Sequence, residues 1–408
     1  MPKDNIPEIR VRGFSDEWAR RKLGDMGSTF TGLSGKTKED FGHGDAKFIT
    51  YMNVFSNPIA DLQMTETVEI DSKQNCVKAG DVFFTTSSET PEEVGMSCVM
   101  PENADNTYLN SFCFGYRPIE KFDLNYLAYV LRSDSFRKEM MFLAQGISRY
   151  NISKNKVMEV EIPVPSLEEQ SKVGRCFSNL ESLISQHQHK HEALVAVKKA
   201  MLEKMFPKEG ENVPEIRFVG FTDPWEQRKL GEIGEVITGS TPSTQHPEYY
   251  SEDGMPWVTP TDIVDNIIYD TPRKLSPIGE KVGRVVPADT ILVTCIASIG
   301  KNAMLVNTGS FNQQINSLVP DKKKYDPYFL LTESFHWSAK MKREAAAGTM
   351  QIVNKNEFSA IETYVPELSE QKAIGAYFCQ IDKLITLHQR KCEVLKNLKS
   401  ALLSKMFV

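Results

Sequence analysis

A chain that repeats its own sequence at a fixed offset must fold as related units, and this one is written twice. Residues 7–27, PEIRVRGFSDEWARRKLGDMG, return at 214–234 as PEIRFVGFTDPWEQRKLGEIG, with thirteen of 21 positions identical. A second pair closes each half. VPSLEEQSKVGRCFSNLESLISQHQHKHEALVAVKKAMLEKMF (164–206) matches VPELSEQKAIGAYFCQIDKLITLHQRKCEVLKNLKSALLSKMF (365–407), with 20 identities in 43. The segments in between resemble each other only faintly. KAGDVFFTT (78–86) parallels VPADTILVT (286–294), and YLNSFCFGYRP (108–118) parallels FNQQINSLVP (311–320). A duplicated enzyme would keep catalytic residues in both copies. Two readers with different targets would keep a frame and vary the middle, which is the pattern here. A bland duplication of a structural scaffold is the alternative.

The closing segments predict long helices. Each opens at a proline, Pro165 or Pro366, and continues for about forty residues with one glycine. Glu168 and Glu169 stand in the first turn, where the helix dipole favours carboxylates. Phe177, Leu180, Ile184, His187, His191, Leu194, Met201 and Met205 recur in steps of three and four. Phe378, Ile381, Ile385, His388, Cys392, Leu395, Leu402 and Met406 follow the same seam. Two equal seams predict an antiparallel coiled coil, each helix on the order of 60 Å long. His187, His191, His388 and Cys392 fall near the centres of the two helices. They read either as a polar layer that sets register or as four zinc ligands; no metal is assigned.

The middles are rich in β-branched and aromatic residues punctuated by Gly, Pro, Asn and Asp, which predicts α+β domains with short strands and polar loops. In the first, Lys36, Lys38, Lys47, Tyr51, Asn53, Thr86, Ser87 and Ser88 are the candidate DNA-contact residues. In the second they are Thr241, Ser243, Thr259, Thr261, Asp262, Ser298, Lys301, Gln313, Gln314 and Asn316. Amides pair bidentately with adenine, hydroxyls donate or accept, and lysines bond guanine or neutralise phosphate.

Net charge is −6, so DNA binding through bulk positive charge is excluded, though a local basic surface is not. Seven cysteines without a CxxC pair suit reduced thiols, and no apolar run is long enough to span a bilayer, so a cytoplasmic protein is expected. Catalytic signatures are missing. TFTGLSGKT (29–37) has Phe30 where a phosphate-binding loop needs glycine, and no HExxH, GxSxG, GxGxxG or NPPF/NPPY occurs. Neither an enzyme nor a bound cofactor is expected.

The PEIRxxGFxDxWxxRKLG openings, the TGSTPSTQHPEYY…PWVTPTDI stretch and the VPxLxEQ segments leading into long helices resemble the specificity subunits of Type I restriction–modification systems. The resemblance covers nearly the whole chain. It implies two tandem target recognition domains, 1–163 and 223–364, followed by spacer helices 164–207 and 365–408, with a linker at 208–222. Each domain would read one half of a split, asymmetric double-stranded DNA target. The helices would set the gap and dock two methyltransferase subunits, and ATP-driven restriction subunits would join the same core. A methylation-only complex lacking the restriction subunit is the variant within the family. The first middle is longer than the second and carries TGLSG where the second has TGSTP, so the two half-sites should differ.

Overall fold

The computed structural model describes residues 5–346 and 352–408. The chain divides into two compact units, Met1–Gln188 with Arg390–Val408, and His189–Gln389. The boundary falls inside both long helices, Leu167–Lys204 and Leu368–Lys405, so each unit contains the start of one and the end of the other.

In the first unit, Val82–Thr85 is the centre of a sheet ordered Gly27–Thr31, Cys113–Pro118, Val82–Thr85, Ser97–Val99. Its VFFT sequence is buried throughout, as an apolar run without alternation requires. A smaller sheet places Phe41–Ile49 between Thr65–Val68 and Thr107–Leu109. In the second unit, Thr290–Thr294 takes the equivalent central place, between Ile315–Pro320 and Asn302–Leu305. The turns leading into the two central strands need left-handed backbone, supplied by Gly80 (φ +84°) and Asp289 (φ +66°).

The repeated motifs are the frame that joins these sheets to the helices. Arg10 forks onto both oxygens of Glu169 (2.7 and 2.9 Å), and the Trp18 indole donates to the same carboxylate (3.0 Å). Arg217 forks onto Glu370 at 2.7 Å twice. The Arg of PEIR and the Glu of VPxLxEQ are therefore ion-pair partners, repeated once per unit. Glu169 is only 2% exposed, so the helix dipole alone does not account for it; its position is set by the half-buried Arg10 guanidinium. The glutamine of the same motif closes the frame. Gln170 accepts from the Asp123 amide (3.1 Å) and donates to Pro165 (2.9 Å), and Gln371 does the same with Asp326 (3.0 Å) and Pro366 (2.8 Å). One turn on, Gly174 and Gly375 admit the capping carboxylates: a Cβ would stand 2.5 Å from Asp123 Oδ1 and 2.3 Å from Asp326 Oδ1.

The helix ends pack antiparallel within each unit. In the first, Phe177 lies against Phe407 (5.6 Å between rings), Glu181 pairs with Lys399, and Cys392 Sγ approaches the Ile184 carbonyl at 3.7 Å. In the second, Phe206 lies against Phe378 (6.0 Å), Lys198 pairs with Asp382 (2.6 Å), and His191 Nδ1 faces the Ile385 carbonyl (3.4 Å). As residue numbers rise on one helix they fall on the other, which is the pairing expected of the two seams. Among the described residues, no group of three or more His, Cys, Asp or Glu gathers to hold a metal. His191 and Cys392 face main-chain carbonyls, each within its own unit. Beyond each helix, Met406–Phe407 and Met205–Phe206 enter the cores of the first and second units respectively.

Candidate nucleic-acid interface

Each unit builds a loop rim at one end of its central sheet, and a glycine makes the rim close. Gly239 follows the strand Gly234–Thr238, and a Cβ there would sit 2.1 Å from the Asn312 carbonyl oxygen. Gly32 meets the Asn110 carbonyl at the same 2.1 Å in the first unit. The loop after each glycine is thereby laid against the end of a neighbouring strand: Leu33 donates to Leu109 (2.7 Å), and Ser240 donates to Phe311 (2.9 Å).

In the second unit most of the candidate residues meet along this rim. Thr241 hydrogen-bonds to Gln313, and both are exposed. Asn312 donates its amide to Val258, which brings the 259–262 turn alongside. There Asp262 Oδ2 accepts from the Thr259 amide (2.7 Å) and hydroxyl (2.6 Å), and Thr261 lies 2.8 Å from the same hydroxyl. Lys301 crosses to the Pro260 carbonyl (3.1 Å), tying in the 294–301 loop that carries exposed Ser298. Gln314 is half-buried and accepts from Asn312 (3.1 Å), while Ser243 stands exposed farther along the first loop. Asn316 is different. It is 2% exposed, donating to the Val353 carbonyl (3.0 Å) and accepting from Thr238 (2.6 Å), so its amide is used within the fold. Arg284 was not legible as a rim residue, because VGRVV carries no loop signature. Its guanidinium donates to Thr238 (2.8 Å) beside Thr241.

The first unit disperses its candidates. Lys36 is held by Asp71 at 3.1 Å, which raises its pKa. The Lys73 amide, the Gln74 side chain and Lys36 together hold the Asp71 carboxyl down at about 2. Lys38 and Lys47 are exposed, on a short helical turn and on the strand Phe41–Ile49. Tyr51 donates to the Ser87 carbonyl (2.8 Å), and burial pushes its phenol up. Asn53 is completely buried, with its amide bridging the Asp61 and Met64 carbonyls (2.7 and 3.0 Å). Thr86 donates to the Phe112 carbonyl (2.8 Å). Ser87 and Ser88 are each 7% exposed because they form a strand paired with Tyr150–Asn151. For Asn53, Asn316, Ser87 and Ser88 the composition of a polar loop was misleading: in each case tertiary pairing takes the surface that composition suggested.

The chain matches the sequence profile of the Type I restriction modification DNA specificity domain twice, over residues 15–195 and 222–397. It is 23% identical over 98% of its length, and 95% of the relative's, to a Methanocaldococcus jannaschii chain assigned as the MjaX specificity subunit of a type I restriction enzyme. It is 32% identical to the Haemophilus influenzae HindI specificity subunit over 35% of this chain and 32% of that one. In fold it is similar to the S subunit of a Type-I restriction-modification system from M. genitalium, with a TM-score of 0.66, 15% identity and 99% of each chain covered. Among the described residues no helix is long and apolar enough to cross a membrane. With a buried frame repeated in both units, a loop rim on each, and the specificity-domain profile matching twice, this chain belongs to the Type I restriction–modification DNA specificity family, as a subunit with two tandem recognition domains.

Proposed function

We propose that each recognition domain reads one half of a bipartite, asymmetric double-stranded DNA target inside the cell, while the long helices fix the separation of the half-sites. The observation that carries this is the contrast between frame and rim. Gly32 with Asn110 and Gly239 with Asn312 give the same backbone approach in both units. The exposed candidates differ: Lys38 and Lys47, on a helical turn and a strand away from the rim, in the first unit, and Thr241, Gln313, Thr261 and Lys301 along the rim in the second. Equal frames with unequal edge-readers suit two different half-sites.

The catalytic work of such a complex belongs to partner subunits: methyltransferases that bind S-adenosylmethionine and methylate adenine, and ATP-driven restriction subunits. Two methyltransferase copies have a repeated surface to dock on. Leu183 and Leu398 are exposed at the level of the Glu181–Lys399 pair in the first unit, and Leu384 and Val197 at the level of Lys198–Asp382 in the second. Leu183→Asp together with Leu398→Asp should therefore remove one methyltransferase copy and keep the other, read as complex mass by light scattering. Retention of both copies would place docking elsewhere.

The deciding experiment is adenine-methylation sequencing of cells carrying this chain with its own methyltransferase, against cells lacking it. A split, asymmetric motif that vanishes with the chain is expected. Exchanging residues 28–150 for another member's middle should change one half-site only; a change in both would defeat the modular reading.

A further inference from the structure

The serines that loop composition singled out in the first unit are covered by a later segment. That segment is a hairpin whose own surface is unassigned. Gln145 and Asn151 exchange both main-chain hydrogen bonds at 2.9 Å, closing a ribbon over Gly146–Tyr150. Gly146 permits the closure: its φ is +148°, and a Cβ there would fall 2.0 Å from the Arg149 carbonyl oxygen. Tyr150 and Asn151 pair with Ser88 and Ser87, and Ile152 donates to the Thr86 carbonyl (3.0 Å). The ribbon is thus stacked on the edge where the Tyr51 hydroxyl and the Phe112 carbonyl also converge.

Its tip contradicts what stability alone would select. Ile147 is 97% exposed, contributing nothing to a core. Ser148 and Arg149 are also exposed, and the Arg149 guanidinium enters no ion pair or hydrogen bond among the described residues. Along the segment itself the charge is one-sided, while Glu89, Glu92 and Glu93 follow the Ser87–Ser88 strand on which it is stacked. Between Glu139 and Glu159 the only ionisable side chains besides Tyr150 are Arg149, Lys154 and Lys156, all exposed, in a chain whose net charge is −6. An acidic protein that presents a carboxylate-free ribbon, with a free arginine and an apolar tip, has the local surface that a polyanion requires.

We propose that the hairpin 145–151 is a DNA-reading element of the first recognition domain, entering the major groove as a β-ribbon. Arg149 reads a guanine edge through its two-pronged guanidinium, Ile147 makes the apolar contact that a thymine methyl offers, and Lys154 and Lys156 bond flanking phosphates. This deepens the proposed function and rests on it.

The test compares adenine-methylation motifs and duplex binding of the complex with its methyltransferase subunits, carrying the wild-type chain, Arg149→Ala, Ile147→Ser or Lys154→Ala. All three substituted residues are exposed, so folding is expected to be retained, with thermal unfolding as the check. Arg149→Ala is expected to relax one guanine position of one half-site by about tenfold or more, leaving the other half-site intact. Lys154→Ala should weaken all sequences alike and lower the salt dependence by about one phosphate contact. If Arg149→Ala instead behaves as Lys154→Ala, or if a wild-type motif survives the Arg149 and Ile147 changes unaltered, the hairpin does not read bases. A wild-type complex with no sequence-dependent methylation overturns the proposed function and this inference together.

Discussion

Phe407→Ala is expected to destabilise the first unit by about 3–5 kcal/mol, the range for removing a large aromatic side chain from a packed core. The side chain lies just past the second long helix and is 5% exposed. It packs on Tyr126 (5.8 Å between rings) and stacks on Phe177 (5.6 Å), which in turn stacks on Tyr129 (4.8 Å). Truncation leaves a void among rings that the frame prevents from collapsing, because Gln170 and Gly174 fix the first long helix against the Asp123 cap. Phe206→Ala should act equally on the second unit, where Phe206 contacts Trp225, Phe329 and Phe378. Phe142→Ala, at an 85% exposed phenylalanine, should cost almost nothing and is the control. Hydrogen exchange reads the result by location: protection should fall across Val82–Thr85 for Phe407→Ala and across Thr290–Thr294 for Phe206→Ala. Equal loss in both units from either variant would refute the assignment of one phenylalanine to each core.

The same residues explain what was legible from sequence. The KMF that ends each repeat, the EQ of VPxLxEQ and the Arg of PEIR all recur, and each proves to be part of the frame. Repetition therefore located the architecture, the long helices and their antiparallel seams. It did not reveal that Arg10 and Glu169 are partners, because an ion pair 159 residues apart leaves no local spacing signal. Reading surfaces were less legible for a related reason. Polar, turn-rich strings mark loops, but exposure depends on which distant segment covers them. Ser87 and Ser88 lie under Tyr150–Asn151, and Asn53 and Asn316 spend their amides on main-chain carbonyls. Thr241 and Gln313 were identifiable one by one, whereas their meeting was not, since it depends on Gly239 pressing against the Asn312 carbonyl.

Glu169→Ala is expected to cost about 3–5 kcal/mol, because it strands a charge rather than removing a pair. Arg10 has 11% of its side chain exposed and directs Nε and Nη2 at the two Glu169 oxygens; the remaining bond from Nη2, to the Asp16 carbonyl (2.6 Å), cannot neutralise it. The Trp18 indole N–H would lose its acceptor as well. The alternative expectation is a surface ion pair worth less than about 1 kcal/mol, and burial decides between them: the arginine left behind has only 11% of its side chain exposed, and the pocket vacated by the carboxylate is 2% exposed. Replacing both partners, Arg10→Met with Glu169→Leu, should be milder than Glu169→Ala alone, since no charge is left unpaired. Denaturant unfolding followed separately in the two units should show the single variant melting the first unit ahead of the second. A single-variant loss below about 1 kcal/mol, or a double variant as damaged as the single, would mean that the repeated arginine and glutamate are held by the frame rather than holding it.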